Sequence, residues 1–289
     1  MKFLLLFIPL LFIQASLSGQ SYWFNGMTRV PGKIAKGFDA GVNIGGQSFA
    51  SNISQITNLA TGASYSPTED QDTDLGFQTL QIGAEVAWLN SYFDLEGGAD
   101  LSLSGVNSDG ADLDELYLGF NFRLGGVVKY DFTPSSDWTI TPFLRSGVSF
   151  EHVTNDLAIP TTYYTIYGPV TTYNYNVYGS SLSNIFFNWR IGTAVRWKSL
   201  VTSIAIGKYN PIGGDLNDVF DTIPSQDPYD PFFLQLNIGY NFSESSTLSL
   251  GCRTEWWDNS SIQNFSGVDY KIDYEWEGFA LDLTYDSKF

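Results

Sequence analysis

Apolar residues occupy every second position in ten separate stretches of this 289-residue chain. Strict alternation places apolar side chains on one face of a β-strand and polar ones on the other, so each stretch is predicted to be a strand. No stretch of comparable length has a helical period. The ten predicted strands lie near residues 38–45, 80–88, 93–103, 116–132, 138–150, 187–197, 200–209, 232–242, 248–256 and 279–289. The fold class is therefore all-β.

The links between these stretches alternate in length. Short links follow the even-numbered stretches, near 90–91, 133–137, 198–199 and 243–246. Long links follow the odd-numbered ones, near 50–75, 105–114, 153–184, 210–231 and 258–275. A membrane-spanning up-and-down β-barrel has short turns at one end and long loops at the other. We therefore predict an antiparallel transmembrane barrel of about ten strands over residues 36–289.

The first nineteen residues have the layout of a secretory signal peptide. Lys2 precedes an apolar run over 3–13, and small and polar residues follow it. That run is too short to cross a bilayer, which indicates export with cleavage near Ser18 or Gly19. Residues 20–35 are expected to be a short periplasmic lead or a partial plug.

Charge and cysteine content exclude several functions. The formal net charge is −17, so the chain should repel nucleic acid, whose binding depends on neutralising phosphates with Lys and Arg. The single Cys252 excludes an intramolecular disulfide. Its position in the alternating pattern places it on the lipid-facing side of its predicted strand.

The polar face of the alternating pattern carries both acids and bases. In lipid the sheet must close on itself, so this face should line the lumen. A soluble β-sandwich would give the same alternation and remains the alternative. The charged residues predicted to line the lumen are Glu85, Asp94, Glu96, Asp100, Arg123, Lys129, Arg145, Arg190, Arg196, Arg253 and Asp282. Asp39, Asp131 and Glu255 lie on the same polar face. Since ten strands enclose a narrow space, we expect ion pairs to fill it and leave little or no open pore. The alternative is a narrow, cation-leaning channel.

Aromatic residues flank the predicted strands at both ends. Trp88, Tyr130, Phe132, Trp138, Trp197 and Phe242 lie beside the short turns, and Trp256, Trp257 and Trp276 lie at the far ends. With the signal peptide and the alternating links, this pattern resembles the outer-membrane β-barrel proteins of Gram-negative bacteria, including porin-like proteins with surface loops. The resemblance implies an outer-membrane location, with lipid and lipopolysaccharide as partners.

The last predicted strand carries a second part of this resemblance. Phe289, Tyr285 and Leu283 resemble the signal by which the barrel-assembly machinery recognises its clients, although Ser287 stands where an apolar residue is common. The resemblance names no subfamily, solute or oligomeric state. The function it favours is non-enzymatic, either structural, surface-interacting or that of a narrow, mostly filled pore. The alternatives are a small-solute channel and a rim enzyme that acts on lipid A or peptides.

Two predicted loops are rich in acids. Asp109, Asp112 and Asp114 surround Gly110 and form a candidate site for Ca²⁺ or Mg²⁺, because hard cations prefer clustered oxygen ligands. The pair Asp112 and Asp114 also resembles one half of the omptin protease site. The loop 210–231 carries Asp215, Asp218 and Asp221 but lacks the His of the other half. A solvated acidic surface is the simpler interpretation, and no other cofactor is expected.

The only histidine lies in the segment EHVTND, residues 151–156. His152, Thr154 and Asn155 resemble the His-x-Ser-Asn motif of lipid A deacylase barrels, with Thr in place of Ser. A histidine can activate a neighbouring hydroxyl, so His152 and Thr154 are the candidate catalytic pair. The competing interpretation is an ordinary histidine at the barrel rim.

The segment 161–179 is rich in Thr and Tyr around Gly168 and Pro169. We predict a hairpin that projects above the membrane, and Tyr-rich exposed surfaces are suited to recognition. The alternative is a further pair of membrane strands, which would make twelve.

Overall fold

The structure is a computed structural model that describes residues 37–66, 75–108, 116–154, 158–165, 168–175, 181–214, 232–265 and 267–289. The predicted signal peptide and the lead over 20–35 lie outside these residues. Nowhere in the described ranges is there a helix with the length and hydropathy needed to cross a membrane.

Ten long strands form one sheet. We number them first to tenth in chain order. They are Gly37–Asn58, Leu75–Leu89, Phe93–Ser108, Leu116–Lys129, Trp138–Thr154, Ser181–Trp197, Leu200–Gly214, Phe232–Asn241, Ser246–Phe265 and Val268–Lys288. All described pairings between consecutive strands are antiparallel.

The sheet closes on itself because the first strand pairs with the tenth. Their register runs from Asp39 opposite Lys288 to Asn58 opposite Tyr270. The fold is therefore a closed ten-stranded up-and-down barrel, as predicted from the alternation. The β-sandwich alternative is wrong, since one continuous sheet replaces two stacked ones.

Four shorter strands accompany the barrel. Ala158–Thr165 and Gly168–Tyr175 pair as a separate two-stranded sheet, so the predicted hairpin is confirmed and the twelve-strand alternative is wrong. Phe132–Ser135 pairs with the start of the fifth strand, and Ser64–Tyr65 pairs with the end of the first.

The strands extend further at the long-loop end than predicted. The segment 258–275 was expected to be a long loop, but the ninth strand reaches Phe265 and the tenth begins at Val268. Backbone pairing needs no alternation in the side chains, so a ladder can continue beyond the bilayer, where neither face must be apolar. The first strand likewise runs to Asn58 through the expected loop start at residue 50.

The outer surface of the barrel is apolar and is bounded by aromatic residues. Trp138 and Trp197 stack at the short-turn end with ring centroids 5.9 Å apart, and Tyr240 packs edge-on to Phe242 at 5.2 Å. At the other end the ring of Trp256 is exposed. The side chains of Trp257 and Trp276 lie outside the described set. An apolar outer face between two aromatic rims is the surface that a bilayer requires.

Candidate functional site

The charged face of the alternating strands lies inside the barrel. The structure buries Asp39, Glu85, Asp94, Asp100, Lys129, Arg145, Arg190, Arg253, Glu255 and Asp282 there. Glu96, Arg123, Asp131 and Arg196 share this face and are partly buried. Arg145 and Arg190 are among the largest side chains that are fully buried, at 1% and 2% exposure. A fully buried guanidinium is costly unless it is paired, so the interior must supply partners.

The second to fifth strands supply ion pairs. Arg123 on the fourth strand forms ion pairs with Asp100 and with Glu85, the latter at 3.5 Å. The Lys129 ammonium lies 2.6 Å from an Asp94 carboxylate oxygen, and both side chains are almost fully buried. These charge-assisted contacts tie the second, third and fourth strands together inside the lumen.

Two ion pairs span three strands, Arg123 with Glu85 and Arg145 with Glu96. Arg145 on the fifth strand donates to the Glu96 carboxylate on the third at 2.9 Å. On the fourth strand between them, the register partner of Glu96 is Gly125. A Cβ at Gly125 would lie 2.8 Å from the Ser146 carbonyl oxygen on the fifth strand, so this glycine permits the close approach of the two strands.

Other interior glycines lie directly beside charged side chains. Gly98 lies between Glu85 and Arg123 in register, and a Cβ at Gly98 would overlap the Arg123 guanidinium. A Cβ at Gly83 would overlap the Asp100 carboxylate, and one at Gly251 would overlap Asp282. Interior glycines thus provide the space that long charged side chains occupy.

The sixth to ninth strands form a second network around Phe233. The Arg253 guanidinium carbon lies 3.7 Å from the ring centroid of Phe233, and that of Arg190 lies at 5.6 Å. Arg190 also donates to the Gln235 side chain, whose amide donates to Asn237 at 3.2 Å. An aromatic face attracts guanidinium groups, so a buried phenylalanine holds two bases together in a small volume.

An apolar cluster fills part of the interior as well. Val127, Phe143, Ala194 and Ala205 are buried together on the fourth to seventh strands. Ion pairs, the arginine–phenylalanine network and this cluster thus all occupy the enclosed volume.

The predicted catalytic pair is described only in part. His152 lies on the fifth strand, and its Nδ1 is 2.9 Å from the Ser183 Oγ on the sixth strand, its direct register partner. By parity both side chains face outward. The Thr154 side chain and all of Asn155 lie outside the described residues, so the pairing of His152 with Thr154 stays a prediction.

The other predicted sites are also only partly visible. Asp109, Asp112, Asp114, Asp215, Asp218 and Asp221 lie outside the described residues. Within the described ranges, His, Cys, Asp and Glu side chains form no group of three or more that could hold a metal ion. Cys252 lies on the outward face and is half-buried.

The predicted assembly residues lie at the short-turn end of the tenth strand. The Phe289 backbone N–H donates to the Phe38 carbonyl at 2.9 Å, and its ring is exposed. Tyr285 and Leu283 face outward. Their role as an assembly signal stays a prediction.

Sequence reasoning missed several residues of the interior. Glu151 is fully buried, and only its parity on the fifth strand could have indicated this. Phe186 and Phe233 also have inward parity, but aromatic residues were assigned to the lipid face. The glycine partners are visible only once the register is known.

A closed antiparallel barrel with an apolar outer face and a charged interior belongs to the transmembrane β-barrels. With its even strand number it has the fold of the Gram-negative outer-membrane proteins, as the sequence resemblance implied. No family model matches the chain, and no curated protein does.

Several solved structures are similar in fold. One is the outer membrane protease OmpT from Escherichia coli, with 10% identity, a TM-score of 0.45, and coverage of 91% of this chain and 100% of that chain. Another is an outer membrane channel from Pseudomonas putida F1, with 14% identity, a TM-score of 0.43, and coverage of 89% and 97%. A third is the translocator domain of the autotransporter NalP from Neisseria meningitidis, with 8% identity, a TM-score of 0.38, and coverage of 96% of both chains. Similarities of this size carry no functional conclusion.

Proposed function

We propose that this protein is a non-enzymatic barrel of the bacterial outer membrane, with a filled lumen and a function that resides in its exposed long-loop end. The apolar outer surface supports the location, since a sheet leaves no unpaired backbone group in lipid only when it is closed. A predicted signal peptide agrees with that location.

The burial of the large interior side chains carries the filled-lumen part of the proposal. Asp94, Asn121, Glu151 and Phe186 have 0% exposure, and Arg145 has 1%. Side chains that line a water-filled channel retain exposed surface, as they do in wide porins. The interior of this barrel therefore favours a structural or surface-interacting protein over a general pore.

Conductance in planar bilayers tests this function. We expect the refolded wild-type protein to give no steady single-channel steps of large amplitude. The triple variant Arg190→Ala, Phe233→Ala, Arg253→Ala removes the network around Phe233 and should give measurable steps if it still folds. Heat-modifiable gel migration establishes folding for each protein. Large steady steps from the wild-type protein would contradict the filled lumen.

A narrow cation-leaning channel is the second candidate. Among the described residues with inward parity ten carboxylates face seven bases, counting the buried and partly buried groups together and including Lys288 opposite Asp39. This excess of acid would favour cations in any residual path. The filled lumen predicts no single-channel steps. Small steps with a cation-selective reversal potential would instead support this second function.

The rim-enzyme alternative is tested separately. Lipid A from cells that express the wild-type protein, the variant His152→Ala or the variant Ser183→Ala is compared by mass spectrometry. We expect identical lipid A in all three and in cells without the protein. An altered lipid A that requires His152 would replace the non-enzymatic proposal with a hydrolase.

A further inference from the structure

A row of four outward side chains crosses the seventh to tenth strands at the upper edge of the apolar surface. Lys208 is the register partner of Phe232, Phe232 of Trp256, and Trp256 of Glu277. The rings of Phe232 and Trp256 are exposed on the outer face, at 40% and 44%. The row therefore places one cation beside two lipid-facing aromatic rings.

A second row marks the short-turn end of the same four strands. It consists of Leu200, Tyr240, Leu248 and Tyr285, which are successive register partners. Each of its members lies eight residues from the corresponding member of the upper row. Eight residues span about 26 Å along a strand at about 3.3 Å per residue. At a strand tilt of about 40° this is about 20 Å along the barrel axis.

This height places Lys208 within the outer half of the apolar band, which is about 25 Å tall in barrels of this kind. On these four strands no described outward side chain between the two rows carries a charge. A lysine on the lipid face is destabilising in the middle of the bilayer and is tolerated towards the interface. Its long stem lets the ammonium reach upward to the headgroup layer.

The upper row is inclined to the membrane plane, so its two charged residues, Lys208 and Glu277, lie at different heights along the barrel axis. Lys208 lies eight residues above Leu200, the first residue of the seventh strand, and Glu277 lies eleven residues from Lys288, the last residue of the tenth. Glu277 is therefore higher by about three residues, or about 8 Å along the axis. The carboxylate lies nearer to water, whereas the ammonium lies where lipid headgroups begin.

The immediate surroundings of Lys208 suit an anion. Its Nζ lies 4.6 Å from the ring centroid of Phe232, which holds the ammonium against the outer surface. An ammonium has three N–H donors and acts as a compact point charge. Asn210 lies two residues further along the strand and shares the outward parity of Lys208.

We propose that Lys208 and Phe232, with Asn210 above them, form a binding site for the phosphate of a phosphorylated glycolipid of the outer leaflet. Lys208 provides the charge, and the rings of Phe232 and Trp256 pack against acyl chains. The inference rests on the membrane location proposed above, but not on the filled lumen.

Native mass spectrometry of the full-length protein in detergent tests the site, with diphosphoryl lipid A as the probe. Lys208→Ala should lower lipid A retention roughly five-fold, the effect of one cation near an anionic membrane surface. Lys208→Arg should restore retention, because it keeps the charge. Lys271→Ala is the matched control, since Lys271 lies far above the apolar band and pairs with Asp273 at 2.8 Å.

A second probe separates the phosphate from the acyl chains. Dephosphorylated lipid A should be retained equally, and weakly, by the wild-type protein and by Lys208→Ala. Unchanged retention of diphosphoryl lipid A by folded Lys208→Ala would overturn the site, as would equal loss in Lys271→Ala. If Lys208→Ala does not fold, Lys208→Gln is compared with Lys208→Arg by the same criterion. A negative result in the lipid A experiment would not change the conductance expected of the barrel. The lipid site and the filled lumen can therefore be disproved independently.

Discussion

At the residue scale, the interior depends on charges that are buried in pairs. Lys129 and Asp94 illustrate this, because their side chains are 2% and 0% exposed and 2.6 Å apart. Asp94 also accepts a hydrogen bond from the Asn90 backbone N–H at 3.1 Å, which links the pair to a short turn. Loss of one partner of such a pair leaves a charge without its main compensation, whereas loss of both does not.

We therefore expect Lys129→Met to lower the free energy of unfolding by roughly 3 kcal/mol. The double variant Lys129→Met, Asp94→Asn should recover most of that loss, since it removes the isolated charge and keeps an acceptor for Asn90. Urea unfolding in vesicles, followed by tryptophan fluorescence, measures both. Lys271→Met is the control, because its exposed pair with Asp273 should contribute less than about 1 kcal/mol. Equal losses for the two single variants would contradict the buried-pair explanation.

A second residue-scale prediction concerns the interior glycines. Gly83→Ala should lower the free energy of unfolding by about 1–3 kcal/mol, because the added Cβ would displace the Asp100 carboxylate from Arg123. Gly46 is the matched control on the outward face, where an added Cβ meets only the Thr79 carbonyl at 3.7 Å. Gly46→Ala should change stability by less than about 0.5 kcal/mol. The same unfolding assay compares them, and a Gly83→Ala protein as stable as Gly46→Ala would show that the space is not needed.

At the element scale, the sequence predicted strands well where lipid constrains the side chains and poorly beyond it. The second strand was expected near 80–88, because its outward residues there are apolar. It spans Leu75–Leu89 in the structure. The ninth and tenth strands were predicted to end near Trp256 and to begin near Phe279. Beyond those residues the ladder continues in water, and a polar sequence there gives no alternating signal. The candidate interior charges were found by parity alone, but their partners depend on register, which parity does not fix.

The extension above the apolar band should be dispensable for membrane insertion. Asp258 and Glu275 are register partners, so residues 259–274 can be replaced by an Asn-Gly turn. The pairings from Asp39–Lys288 to Ala50–Glu277 that close the barrel remain. We expect this variant to insert and to show normal heat-modifiable gel migration. Deletion of Asp282 alone is the contrasting control, since a one-residue shift turns every side chain on one side of the deletion to the opposite face and should abolish the folded form. A shortened hairpin that fails to insert would contradict this division of the strands.

At the scale of the whole molecule, the distribution of polarity is inverted relative to a soluble protein. Apolar side chains such as Leu124 and Ile238 are 65% and 58% exposed, whereas charged ones such as Arg145 are inside. The barrel therefore depends on lipid for the solvation of its surface and on paired charges for the solvation of its interior. An interior held together in this way should exclude both lipid and bulk water.

Cysteine reactivity tests that exclusion directly. In a Cys252→Ser background, Ser203→Cys places a small thiol on the inward face, where Ser203 is 6% exposed and accepts from Asn237 at 2.9 Å. Ile204→Cys places a thiol one residue further along on the outward face, where Ile204 is 51% exposed. In vesicles, we expect a charged, water-soluble thiol reagent to label neither position, and an apolar maleimide dissolved in the lipid to label only Ile204→Cys. Ser245→Cys, in an exposed short turn, is the positive control for the charged reagent. Unfolding in urea should make both buried and lipid-facing thiols reactive. Rapid labelling of Ser203→Cys by the charged reagent in the folded protein would mean that water passes through the lumen, and the barrel would then be a channel.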